Sequence, residues 1–369
     1  MLFTYVVYWG LIVLSILTGY VVTNVSNEKH RYILYCVLFL CIAFVLGGRY
    51  DVGTDWENYR EYYEVIRCYG ISWKGILASN LEPLYLIINK CCAFLCMSTS
   101  TFFMTIMLIM LFLLFYATDK DYRRFHYVLF FFFTTFLASA LNIQRQALAT
   151  LFFFLSVKYI DRNIYKYFIC VGCAFFIHHS SVVLFPFWFI GNERLKVLDN
   201  RLFAVTAYLC SLLFASILGK YINDIIPMFI SSEKYMNNFE NIDENMEVSS
   251  GLGILMNHML SLVVIVLSKS MVQFYQSQWL RNMYRCFLIG AILLNIFGLS
   301  VYLARVPFSL YSLKVILYAY ISYYLLHSVK NNPVNRLVAV FLIIICLAMS
   351  FFGIAHGDGG ISPYEFKWI

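Results

Sequence analysis

Charge is scarce in this chain. Asp, Glu, Lys and Arg make up 13% of its 369 residues, 62% are hydrophobic and the mean hydropathy is +0.74, whereas a soluble domain carries about 25% charged residues. An ordinary soluble globule is excluded, and the chain reads as an all-α polytopic membrane protein. No stretch is rich enough in Pro, Gly or Ser to act as a linker, and no internal repeat is evident, so residues 1–369 read as one integral membrane domain. Walker A, H-E-x-x-H and G-x-S-x-G motifs are all missing, and Gly251-Leu252-Gly253 lacks the third glycine of a dinucleotide site. No paired D-x-D accompanies the polar segments that carry the interest below, so metal-independent chemistry without a cofactor is expected. The eleven cysteines lie mostly inside apolar runs, where they act as small hydrophobes and not as a disulfide framework. Cys170 and Cys173 form a C-x-x-C without a second pair.

What the chain does have is long apolar runs. Ten are long enough to cross about 30 Å of hydrocarbon: 3–22, 32–48, 101–117, 125–141, 145–160, 202–219, 251–268, 286–303, 306–326 and 337–354. Two more segments, 82–97 and 167–190, are broken by Asn89 and Lys90 or by His178, His179 and Pro186. The net charge of +7 comes from Lys and Arg scattered over short loops, which points to orientation in a bilayer and away from nucleic acid. If neither broken segment crosses completely, Lys29, Arg31, Lys120, Arg123, Arg124, Arg162 and Lys166 all fall on the cytoplasmic side, as the positive-inside rule asks. Segment 82–97 then lies at the outer interface, and 167–190 becomes a re-entrant hairpin with His178 to Ser181 at its tip. The loops 49–83 and 220–250 fall outside.

The outer side therefore collects the polar features. In GGRYDVGTDWENYREYYEVI, residues 47–66, Arg49 and Asp51 follow an apolar run, Gly53 permits a sharp turn, and Tyr59, Tyr62 and Tyr63 recur at near-helical spacing. A turn followed by an extracytoplasmic amphipathic helix is expected. Arg145, in LNIQRQALA, begins a helix at the outer boundary beside Asn142, Gln144 and Gln146, and Arg305 sits in another outer turn before Pro307. Guanidinium groups at helix starts suit an anion, and three of them, Arg49, Arg145 and Arg305, suit a diphosphate ester. His178, beside Ser180 in an apolar hairpin, is a candidate for proton transfer or hydroxyl orientation. Asp51 and Asp55 are the carboxylates nearest the arginines in sequence. Of the two, Asp55 is favoured as general base, because the Gly53 turn projects it away from Arg49, and His178 then orients substrate. Thr54, Tyr59, Gln146 and Ser180 complete the expected substrate contacts.

R-x-D-x-G-T-D-x-x-x-Y (Arg49 to Tyr59), E-P (Glu82-Pro83), R-Q-x-L-A (Arg145 to Ala149), H-x-S (His178 to Ser180) and a Pro363-Tyr364 tail occur in that order. Together they resemble the EpsG family of bacterial exopolysaccharide proteins, a branch of the Wzy-type polymerases. The resemblance implies a GT-C-like fold in the bacterial inner membrane with its active site on the extracytoplasmic side. It also implies transfer of a growing glycan from undecaprenyl diphosphate to the next lipid-linked repeat unit. The implied partners are those repeat units, membrane lipid, and a chain-length regulator and flippase of the same pathway. A ligase acting on finished O-antigen-type glycan is the nearest alternative, and a lipid-linked oligosaccharide flippase is the other.

Overall fold

The computed structural model describes residues 1–79, 81–229, 251–298, 303–327 and 332–369. Among these the regular structure is helical, and the only β pairing is an isolated bridge between Arg49 and Phe366. The chain packs as two compact units, Met1–Gly191 with Val315–Ile369, and Asn192–Lys314.

In the first unit, α1 (Leu2–Asn24) and α2 (Glu28–Gly47) lead into the Gly53 turn. They are followed by α3 (Trp56–Tyr69), α4 (Trp73–Ala78) and α5 (Pro83–Phe94). Next come α6 (Thr99–Ala117), α7 (Phe125–Thr135), α8 (Leu137–Asn142), α9 (Gln144–Val157) and α10 (Ile164–Ile177). The second unit holds α11 (Arg201–Phe229), α12 (Leu252–Tyr275), α13 (Gln278–Phe297) and α14 (Arg305–Tyr311). The chain then continues through α15 (Lys314–His327) and α16 (Pro333–His356). The starts are set locally. Asn27, Ser98, Asn163, Ser277 and Asn332 each accept a backbone N–H of the first turn through the side chain, and Pro83 and Pro333 sit where a missing N–H costs nothing.

Among the described residues six helices are long and apolar enough to cross a bilayer alone: α1, α2, α6, α12, α13 and α16. A seventh is reached if Glu193–Asp199 and Arg201–Ala215, bent by 72°, count as one span. These coincide with seven of the ten apolar runs, with differences at the ends. The helix on 286–303 begins eight residues early, at Gln278, and takes in Arg281 and Arg285. Arg285 is fully buried there, held by Asp199 at 2.9 and 2.6 Å. The run 125–141 is interrupted at Phe136, 306–326 between Tyr311 and Lys314, and 145–160 yields fourteen helical residues. The helix expected to end before residue 220 continues to Phe229, and 230–250 lie outside the described residues.

Segment 164–191 is a hairpin. After α10 the chain turns at His178 and returns as tight helical turns over His179–Gly191. The Tyr167 hydroxyl donates to the Leu184 carbonyl at 2.7 Å, and Phe168 stacks on Phe185. The outward faces of α1 and α16 expose apolar side chains such as Leu17, Leu337, Ile344 and Phe352, the pattern of a surface solvated by lipid. The interior is aromatic, with Phe39, Phe115 and Phe125 packed edge to face between α2, α6 and α7.

Candidate functional site

The turn after α2 is assembled from three distant stretches. Gly53 has φ +102°, and a Cβ there would stand 2.8 Å from the Leu141 carbonyl oxygen, so only glycine fits. Its N–H donates to the Gly360 carbonyl at 2.8 Å, and the Thr54 N–H to that of Gly359 at 3.3 Å. Asn142 Oδ1 accepts both the Thr54 hydroxyl and the Asp55 N–H, the latter at 3.2 Å. Residues 357–369 are stitched down throughout. Tyr8 Oη donates to the Ile361 carbonyl, the Tyr50 N–H to that of Glu365, and the Lys367 N–H to that of Gly48.

Below this turn α3 presents Trp56, Tyr59, Tyr63 and Ile66 inward, and Glu57–Arg60 and Glu64–Arg67 pair on its outer face. This is the expected amphipathic helix. Ile66, Ile76 and Leu86 form a small core that ties α3, α4 and α5 together. It fixes the start of α5, where Glu82 immediately precedes Pro83 and is only 5% exposed.

Glu82 is the centre of the cluster. Arg145 Nη1 donates to its Oε2 at 2.5 Å, and His178 Nδ1 lies 3.1 Å from its Oε1. Three loop or helix ends therefore meet: the start of α5, the start of α9 and the tip of the α10 hairpin. Tyr59 and Tyr85 floor the site, with the Arg145 guanidinium 5.9 and 6.0 Å from their ring centroids. Burial pushes the Glu82 carboxyl up, but the His178 hydrogen bond and the Arg145 charge outweigh it and bring it down to about 2. An ionised carboxylate only accepts, so the proton between the two residues resides on His178 Nδ1. His178 Nε2, Arg145 Nε and Gln144 Nε2 are buried without a hydrogen-bond partner. Unsatisfied buried polar atoms are costly, and three of them around one ion-paired cluster make it the candidate site.

The expected site residues distribute unevenly around this centre. Arg145, His178 and Tyr59 are in it. Gln146 is buried one position after Arg145, and Ser180 is half-buried at the hairpin tip. Asp55 precedes α3 by one residue, and its carboxylate takes no hydrogen bond from any described residue. Asp51 is exposed, in a left-handed conformation with φ 51°. Arg49 is 1% exposed, donates to the Leu46 and Leu141 carbonyls at 3.2 and 3.3 Å, and lies 4.7 Å over the Phe103 ring. That environment ties the end of α2 to the end of α8. Arg305 starts α14 in the second unit.

Glu82 and Tyr85 received no role from the sequence. The available signal was a carboxylate placed immediately before a proline in an otherwise apolar stretch. A D-x-D triplet does exist, Asp119-Lys120-Asp121, between α6 and α7, and its carboxylates pair with Lys158 and Arg124. Among the described residues no group of three or more His, Cys, Asp or Glu side chains gathers as a metal ion would need.

The family model described as the EpsG family matches residues 32–366. No curated protein and no solved structure matches the chain.

Proposed function

Because the chain belongs to the EpsG family of Wzy-type polymerases, we propose that it lengthens a polysaccharide on the extracytoplasmic face of the bacterial inner membrane. The growing glycan leaves undecaprenyl diphosphate and is joined to a hydroxyl of the next lipid-linked repeat unit. The observation that carries this reading is the Glu82 carboxylate bridging Arg145 and His178, with nitrogen atoms of both left unpartnered in a buried site.

The chemistry follows from those atoms. With its proton on Nδ1, held by Glu82, His178 offers the lone pair of Nε2 to an acceptor sugar hydroxyl. As that hydroxyl oxygen bonds to the anomeric carbon, its proton passes to Nε2. The bond from the anomeric carbon to the diphosphate oxygen breaks, and its electron pair leaves with the diphosphate. Arg145 keeps N–H groups for the charge that develops there, where water is excluded and a guanidinium is worth most. Asp55 is the rival base: it stands one turn before Tyr59 on α3 with its carboxylate unengaged. Tyr59 and Tyr85 are buried beneath the Arg145 guanidinium and hold it in place. Arg49 supports the site from within by fixing the turn.

The test is the length of glycan left on undecaprenyl diphosphate in a deletion strain. Accumulation of single repeat units is expected. Long chains stranded on the lipid would instead show a ligase, the reading chemically nearest to this one.

A further inference from the structure

A second site lies at the other end of the first unit. The α7–α8 stretch reaches the Gly53 turn at Leu141 and Asn142, and α1 meets Ile361 there through Tyr8. At their opposite ends, where α1 and α15 finish and α7 begins, a cavity of ≈ 400 Å³ opens between the three helices. Ligand pockets typically enclose about 300–1,000 Å³.

The cavity is built from the sequence in a specific way. Gly19 of α1 has no side chain, and a Cβ there would stand 2.2 Å from His126 Cβ, so the imidazole seats directly on the α1 backbone. His126 Nδ1 is buried and has no hydrogen-bond partner. Across from it His327 is stacked on Tyr323, ring centroids 4.1 Å apart, and Tyr127 meets the same tyrosine edge-on. His327 Nδ1 is 3.0 Å from the Tyr323 carbonyl oxygen. That bond places a proton on Nδ1 and aims Nε2 elsewhere.

Arg123 supplies the fixed charge. Its neighbour Arg124 takes Asp121 at 2.5 Å, and the Tyr320 hydroxyl also donates to Asp121, so that carboxylate is already engaged. Arg123 makes no ion pair with a described residue, and no acidic side chain lines the cavity. Because α1 and α15 both end here, their terminal carbonyls face the same way and repel an anion. The start of α7 faces the cavity too, but its Phe125, Tyr127 and Val128 N–H groups already bond the Asp121 and Arg124 carbonyls, so attraction comes chiefly from side chains: a guanidinium, two imidazoles and tyrosine hydroxyls. Ile16 closes one wall, and the neighbouring Val13, Leu17 and Val21 are exposed along the same helix, a surface for an acyl chain.

We propose that this cavity binds a phosphate ester, and that the phosphate is the head group of a membrane phospholipid whose chains lie along α1. The site is distinct from the Glu82 cluster and does not depend on how that cluster is read.

The experiment uses the full-length protein in detergent, titrated with phosphatidylglycerol or with inorganic phosphate and followed by native mass spectrometry. Arg123→Gln and His327→Gln alter exposed side chains outside the packed core. Phosphatidylglycerol should be retained by the unaltered protein, about tenfold more weakly by each single variant and about a hundredfold more weakly by the double variant. Inorganic phosphate should bind far less well than the lipid. If it binds equally well, and weakens equally in the variants, the phosphate chemistry stands and the source is soluble. Phosphatidylglycerol adducts of equal strength in the unaltered protein and the double variant would overturn the proposal, as would no retention of either probe.

Discussion

His178 Nδ1 and Glu82 Oε1 stand 3.1 Å apart although 96 positions separate them in the chain. The pair joins the tip of the α10 hairpin to the start of α5. It also places a proton on Nδ1, because an ionised carboxylate can only accept.

Glu82→Gln keeps the shape of the side chain and removes its charge, so it releases the His178 tautomer and leaves Arg145 without its partner. Polymer formation by purified protein should fall about a hundredfold, with lipid-linked substrate still bound. Turnover within threefold of the unaltered protein would remove Glu82 from the mechanism.

The identity of the base is open to a ranking. On the His178 assignment, His178→Gln abolishes turnover across the pH range while Asp55→Asn retains a substantial part. The opposite order would restore the proton-accepting role to Asp55 and leave His178 to orient substrate. Single-turnover polymerisation assays distinguish the two.

The arginines should separate by readout. Arg49→Ala removes a buried guanidinium that satisfies the Leu46 and Leu141 carbonyls, so thermal stability in detergent should drop by about 2–4 kcal/mol. Arg145→Ala takes one of its two partners from the buried Glu82 carboxylate and should lower stability as well, so the distinguishing variant is Arg145→Lys, which keeps the charge and most of the melting temperature but rescues polymerisation poorly because one ammonium cannot replace a fork of donors.

Acid stability carries the signature of Glu82. Its carboxyl is depressed from the ordinary value of 4.5 to about 2 in the folded protein. A depressed carboxyl contributes stability that is present above the unfolded value and lost as pH falls through the folded one. The difference in melting temperature between the unaltered protein and Glu82→Gln should be steady from pH 8 to about pH 5 and shrink only toward pH 2. A difference that disappears near pH 6 would show that the carboxylate is not held this way.

Gly53→Ala forces a left-handed backbone on a residue with a Cβ and drives that carbon against the Leu141 carbonyl. The turn should shift, with loss of about 1–3 kcal/mol of stability and of polymer length together. Normal polymer from this variant would show that the turn tolerates displacement.

Much of this was legible beforehand for physical reasons. Apolar length announces a bilayer whatever the neighbours do, so α1, α2, α6 and α16 lie where the runs lie. Gly53 and the spacing of Tyr59 and Tyr63 announce a turn and an amphipathic helix, because both depend on local backbone and periodicity. Arg145 and His178 stood out because ionisable groups are rare in such a chain. Glu82 appeared only as half of the Glu82-Pro83 motif and took no role, since a lone carboxylate looks ordinary until the fold brings a cation to it. The break at Phe136 was invisible too: neither proline nor glycine marks it. Arg49 shows the converse, a residue conspicuous in sequence whose hydrogen bonds go to backbone carbonyls.

The stitching of residues 357–369 onto the Gly53 turn bears on the order of biosynthesis. Helices α1 and α2 leave the ribosome long before the tail, and the turn that follows them gains the Gly359, Gly360 and Lys367 hydrogen bonds only after more than three hundred further residues have been translated and inserted. Until then Gly53, Thr54 and Asp55 lack half of their supports. A nascent chain stalled or cleaved before residue 357 would carry every expected apolar run and yet hold its most polar turn unfastened.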